Sequence, residues 1–425
     1  MEFSLDTIDI IGPDRYAKHG YPHAEWAYLR KHQPVFHVES RRVEPFWAIT
    51  KYAHIVQISR QPRLWLNGPR MAVFVNDSGD RQGPPEPLFR HLLNMDPPQH
   101  GEYRAVLSRH FTPRAVRALE PQIAEITRNT LDEVSDRSEC DFVTDVSSKV
   151  PLAVIAELLG VPHQDWPMLF RWTNETIGSG DPEFQQGATQ LESIQRARLA
   201  LFQYFTDMVA EKRRHPAQDI TSILANAKIG SVEMAAFELL SYLFVLVVAG
   251  NETTRNATTG GLLAFSENPG QWRRLKRDPA LIKTAVEEIV RWTSPVIQFA
   301  RTLTQDTEVG GQKIRKGESV CLFYPSANRD EEVFEEPFKF DIGRDPNPHL
   351  AFGIGEHFCL GANLARLELE VIYRQLARRL EGLELTGPVE RLRSSFVGGI
   401  KHMPIRYKMM PAESASVERA GVGHP

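Results

Sequence analysis

The sequence predicts one large, mainly helical domain with small β-sheets. Three observations carry that expectation. Apolar residues recur at three- to four-residue spacing through most of the chain. The segment from about Ser231 to Leu263 is long and apolar enough to cross a core as one helix. Alternating and β-branched residues are confined to three islands. No stretch reads as a linker, so residues 1–410 are expected to form a single domain, with 411–425 a disordered tail.

The elements follow in order. The first island, Val35–Ile49, reads as paired strands. Asn76–Pro87, rich in glycine and proline, reads as a mobile loop. Asp96-Pro97-Pro98 forms a turn into a helix that projects His100 and Arg104 together at i, i+4. The central helix, about 30 residues, would span on the order of 45 Å. Asp278-Pro279 opens a helix with Leu281, Ile282, Ala285, Ile289 and Trp292 on one face, ending before Pro295. The second island, Phe299–Phe323, turns at Gly310-Gly311, and the third covers about Leu383–Tyr407.

Composition excludes several classes of function. With 42% hydrophobic and 24% charged residues the chain is ordinary for a soluble protein, and its net charge of −4 offers nucleic acid no attraction. Three cysteines at unrelated spacings (Cys140, Cys321, Cys359) suit a reducing compartment rather than a disulfide framework. The N-terminus lacks a signal-peptide pattern. The most apolar run, Leu239 to Gly250, falls short of the ~20 residues that span a bilayer. A cytoplasmic protein with no membrane span is expected.

Four motifs carry chemistry. Phe352–Gly361 reads Phe-Gly-Ile-Gly-Glu-His-Phe-Cys-Leu-Gly. Gly353 and Gly355 permit a tight loop, and Cys359 precedes a helical pattern of Leu360, Leu364, Leu367 and Val371. Backbone N–H groups and the positive end of a helix dipole lower a cysteine pKa there, as a metal-bound thiolate requires. A lone cysteine is ordinarily structural, but the fixed glycine and phenylalanine offsets make that improbable. The second motif, Ala249-Gly250-Asn251-Glu252-Thr253-Thr254, places a glycine that costs roughly 1 kcal/mol at mid-helix. Beside it stand threonines able to bond back to a carbonyl four residues earlier. That suits a local gap for a diatomic ligand with a hydroxyl beside an acid, or equally a notch where helices pack. The third, Glu288-Ile-Val-Arg291, is an i, i+3 pair whose commonest form is a surface contact worth well under ~1 kcal/mol. The fourth is the His100/Arg104 pair, which can clamp a carboxylate; Arg301 and His357 add cations near the other motifs.

Together these four motifs, in this order, resemble the cytochromes P-450, the haem-thiolate monooxygenases, over about residues 20–407. The resemblance implies that family's fold, with a long central helix over haem b (iron protoporphyrin IX). It makes Cys359 the thiolate ligand of the haem iron, with Phe352 beside the sulfur and the N–H groups of the Gly353 loop tuning it. It implies that His100, Arg104, Arg301 and His357 neutralise the propionates, and that Glu288, Arg291 and Arg344 fix the core on the haem side. Glu252 and Thr253 become the acid–alcohol pair that delivers protons to O2, and Ala249 and Gly250 leave room above the iron.

The resemblance further implies pocket walls in Trp65–Leu93, around Phe170–Phe205, at Val296–Phe299 and at Ser395–Val397. Phe74, Val296, Ile297, Phe299, Phe396 and Val397 are the candidate substrate contacts, with Met71 and Val73 nearby. Apolar walls suit a lipophilic ligand. The run Val-Val-Ala-Gly-Asn-Glu-Thr-Thr-Arg-Asn looks like bacterial members that hydroxylate sterols, methyl-branched lipids and terpenoids. The expected activity is therefore hydroxylation of a steroid, terpenoid or fatty-acyl substrate by a monomer. Electrons would come from a separate ferredoxin and its reductase, docking near Arg104, Arg109, Arg114 and Arg117. Alternatives are a peroxide-driven peroxygenase, against which Glu252-Thr253 argues, and a non-catalytic haem-binding sensor.

Overall fold

Strand Ser319–Phe323 shows how the small sheets join the helical body. In the computed structural model, which describes residue 5, residues 8–75 and residues 90–411, all five of its residues are buried. Val320 and Leu322 face one apolar cluster, with Val35, Ile55 and Trp65; Cys321 and Phe323 face another, with Trp26, Phe46 and Ile297. A strand covered on both faces reads as a continuous apolar run rather than an alternating one. It lies at the centre of a five-stranded sheet in the order Val35–Ser40, Val43–Ile49, Ser319–Phe323, Gln298–Leu303, Trp65–Leu66. Ser319–Phe323 runs parallel to Val43–Ile49 and antiparallel to Gln298–Leu303.

The central helix runs Ala236–Glu267, 32 residues, on the order of 48 Å. Residues 231–235, expected within it, lie outside: Lys228–Ile229 and Val232–Glu233 pair as a hairpin turning at Gly230, whose φ of 62° places it in the left-handed region. By length and hydropathy this helix passes the test for a membrane span. It is instead mostly buried within the fold, packing against helices Lys149–Leu159, Trp166–Ile177, Ile282–Thr293 and Ala362–Arg379, and it carries Glu252 and Arg255 at its middle.

The Ile282–Thr293 helix follows a short turn over Pro279–Leu281, where the Asp278 side chain accepts from the Ala280 N–H at 3.1 Å. The three islands become strands, with Gly310 and Gly311 both at positive φ in the second. The loop read at Asn76–Pro87 and the tail beyond 411 lie outside the described residues, so the single-domain boundary at 410 and the tail stay expectations.

Candidate active site

The cysteine loop is held open by backbone geometry. Gly353 and Gly355 have φ of 70° and 78°, and a Cβ on Gly355 would lie 2.5 Å from the Ser59 carbonyl oxygen. The Cys359 N–H donates to the Phe352 carbonyl at 2.9 Å, closing the loop just before the Ala362–Arg379 helix. Cys359 is accessible to a water-sized sphere, yet protein surrounds it so fully that burial dominates its ionisation. Burial pushes its thiol pKa up, against the pull of the Gly361 N–H and the charges of Arg104 and Arg366. The loop N–H lowers the pKa as expected, but burial is the larger effect and sets the net direction.

The central helix has one uncovered face where its flanks are buried. Ala249 is exposed, and Leu246, Gly250 and Thr253 are part-exposed, one turn apart on the same side. Thr253 donates from Oγ1 to the Ala249 carbonyl at 2.9 Å, the back-bond its position allows. Glu252 points elsewhere. It is buried and paired with Arg255, which also donates to Asn174 Oδ1 at 2.8 Å, while Asn251 joins Thr173 at 3.1 Å and Glu252 at 3.3 Å. Burial raises the Glu252 pKa, opposed by Arg255. Sequence reasoning missed Arg255, although its i, i+3 spacing from Glu252 was visible.

Gly250 also has a packing role. A Cβ there would lie 2.9 Å from Ile155 Cγ1 and 3.0 Å from Cδ1. Its missing side chain therefore permits close packing against the Lys149–Leu159 helix, as the notch reading expected, while the residue stays part-exposed on the open face.

His100, Arg104, Arg301 and His357 come together. The two imidazoles lie 4.0 Å apart between ring centres. His357 is lowered to about 2 by burial first, then by His100, Arg301 and Arg104. His100 is lowered by burial and Arg104, against Glu356, whose Oε1 is 3.6 Å from its Nδ1. Among the described residues, His100 Nδ1 and His357 Nε2 are buried without a hydrogen-bond partner. Arg301 is also buried, donating to its neighbour's carbonyl, Ala300 O, at 2.7 Å. Glu356 was missed, though it stands directly before His357.

Glu288 and Arg291 form a bidentate pair at 2.7 and 2.8 Å with both side chains wholly buried, so the surface-pair reading is overturned. Arg291 also donates to the carbonyls of Asn328, Pro337 and Lys339. Arg344 Nε lies 3.3 Å from Glu288 Oε2, placing the third member of the expected set in contact.

The pocket candidates divide. Phe396 stacks edge-on with Phe74 at 5.3 Å and with Phe299 at 5.7 Å, and Val296 bridges to Val397. Gln298 fastens the Met71–Phe74 segment by exchanging hydrogen bonds with Val73 at 3.2 and 2.8 Å. Ile297 is wholly buried in the Trp26–Phe323 cluster and so lines no open surface, correcting its assignment to the pocket. A cavity of about 470 Å³ opens elsewhere, beside Glu287, Arg344 and Arg366, and includes neither Cys359 nor Thr253.

Comparisons with known proteins give one answer. The family model described as Cytochrome P450 matches residues 187–404. A steroid C26-monooxygenase of Rhodococcus jostii is 39% identical over 412 residues, covering 95% of this chain and 85% of its own. Cytochrome P450-terp of a Pseudomonas species is 36% identical over 411 residues, covering 94% and 96%. The Mycobacterium marinum cytochrome P450 CYP268A2, solved in complex with pseudoionone, superposes with a TM-score of 0.84 at 32% identity, covering 95% of this chain and 99% of that one.

Proposed function

From the premise that the chain belongs to the cytochrome P450 family of haem b monooxygenases, we propose that it hydroxylates a C–H bond of a lipophilic substrate of steroid, terpenoid or fatty-acyl type. The observation that carries the haem assignment is the cluster of His100, Arg104, Arg301 and His357. Two buried ring nitrogens without partners among the described residues and two guanidinium groups beside them form a site that wants anions. Two carboxylates fit it, because buried charge is tolerated only when paired. The Cys359 thiol fits as well: a coordinating cation removes its proton outright and offsets the cost of burial. Haem b supplies the redox iron that activates molecular oxygen.

The protein's own residues do the rest. Thr253 spends its O–H on the Ala249 carbonyl, which leaves its oxygen free to accept from a water on the open helix face. Glu252 has a raised pKa and so holds a proton more readily than an ordinary carboxyl. Its contacts with Arg255 and Asn251 fix the carboxyl in the middle of the central helix, from which, on this reading, it supplies a proton towards the open face. Phe74, Phe299 and Phe396 form the apolar wall that takes the hydrocarbon. The activities of the relatives, a steroid C26-monooxygenase and a methyl-branched lipid omega-hydroxylase, favour attack near the end of a branched chain. A separate ferredoxin with its reductase delivers the electrons, in the cytoplasm.

The test is reconstitution with a bacterial ferredoxin, its reductase and reduced nicotinamide nucleotide under 18O2, across steroids, terpenoids and branched fatty acids. A product carrying one 18O atom, formed only with reductant, supports the reading. Turnover that needs peroxide and ignores reductant overturns it in favour of a peroxygenase.

A further inference from the structure

Beyond the expected motifs, a second, half-buried network reaches the cysteine loop. Arg366, on the Ala362–Arg379 helix, binds Glu287 through two contacts at 2.6 and 2.9 Å. Glu287 is the neighbour of Glu288 but takes no part in its pair with Arg291. His349 Nε2 lies 3.1 Å from Glu287, while its Nδ1 accepts the Ala351 N–H at 3.3 Å. The ring thus bridges the Glu287 carboxylate and the backbone at Ala351. Burial pushes the Glu287 pKa up, but hydrogen bonds from His349 and Arg366 outweigh it and bring it down to about 2. The carboxylate is charged at every working pH.

That anion anchors a cation over the loop. The Arg366 guanidinium sits 4.5 Å from the centre of the Phe352 ring, and His349 packs against the same ring at 5.8 Å. Phe352 in turn accepts the Cys359 N–H through its carbonyl at 2.9 Å. Arg366 is also one of two positive charges acting on the Cys359 sulfur, Arg104 being the other.

We propose that Arg366, held by Glu287 and His349, is a positioning residue that sets how much electron density the Cys359 thiolate donates to the haem iron. The inference rests on the haem-thiolate reading above. The network holds one cation, over the Phe352 ring, and one anion paired to it, so removing each shifts the iron in opposite directions. Loss of the Arg366 charge leaves the thiolate richer in electrons and favours the ferric state. Loss of the Glu287 charge leaves Arg366 unneutralised and favours the ferrous state.

The experiment measures the ferric/ferrous midpoint potential and the reduced carbon monoxide spectrum of the haem-loaded wild type, Arg366→Gln, Arg366→Lys and Glu287→Gln. One charge roughly 10 Å away at an effective dielectric near 20 changes the equilibrium about tenfold, which for a one-electron couple is about 59 mV. Arg366→Gln should move the midpoint negative by about that amount, Glu287→Gln positive, and Arg366→Lys little. A purely structural role would instead move Arg366→Gln and Glu287→Gln the same way, with loss of haem in both. That result, or unchanged midpoints in both, overturns the proposal. If the wild type itself lacks a thiolate-type carbon monoxide spectrum, the underlying haem-thiolate reading has failed instead.

Discussion

Replacing Gly250 by alanine separates the two roles open to that residue. In the structure the added methyl would meet Ile155 Cγ1 at 2.9 Å and Cδ1 at 3.0 Å, and Ile155 is itself buried. Overpacking of this kind costs about 1–3 kcal/mol, while alanine recovers about 1 kcal/mol of helix propensity. Gly250→Ala should therefore destabilise the fold by about 0–2 kcal/mol. Ile155→Ala alone leaves a cavity and should cost about 2–5 kcal/mol. It also removes the atoms the new methyl would strike, leaving Cβ at 3.4 Å. The double variant should thus be more stable than the sum of the singles by at least 0.5 kcal/mol, the lower end of contact coupling. Urea unfolding of the four proteins, compared at equal m-value, measures that term. Strict additivity, with the only loss in oxygen-dependent turnover, would refute the packing argument and return Gly250 to the oxygen site.

Other perturbations address other parts of the site. Arg291→Ala strands the buried Glu288 carboxylate and three carbonyls, so it should cost about 3–5 kcal/mol in thermal or urea unfolding. A loss below about 1 kcal/mol would mean the pair is not buried as described. Thr253→Ala should keep substrate binding while diverting reducing equivalents into hydrogen peroxide; unchanged coupling of reductant to product would remove Thr253 from proton delivery. His402 bridges Asp141 and Glu183 at 2.5 and 2.9 Å, and these contacts outweigh burial to raise its pKa above 6.5. A raised folded-state pKa stabilises fully below about 6.5, the unfolded value, and is lost as pH climbs through the folded value. The melting-temperature gap between wild type and His402→Gln should accordingly be largest in mild acid and close in alkali; a gap that widens with pH would reverse the sign.

The family and its main landmarks were legible because they lie in short runs of sequence. The Cys359 loop depends on glycines whose positive φ is a local matter, and Glu288 with Arg291 is one helical turn. The strand islands were legible for the same reason. What escaped depends on neighbours distant in sequence. Gly250 could not declare its partner, because Ile155 stands on another helix. Ile297 lies among apolar residues that all look fit for a pocket, and only the packing of Trp26 and Phe323 shows which side it takes. The net direction of the Cys359 pKa was not legible, because the sequence displays the loop's N–H donors but not the burial that opposes them. Glu287 was overshadowed by its neighbour, since its partners Arg366 and His349 come from separate segments.

The most direct test of the account is the absorption spectrum of the reduced carbon monoxide complex, taken on the wild type and on Cys359→Ala. The wild type should show the red-shifted Soret band of thiolate-ligated haem, and the variant should lose it. A histidine-type Soret band in the wild type, or a thiolate band that survives in Cys359→Ala, would contradict the assignment of Cys359 on which the rest depends.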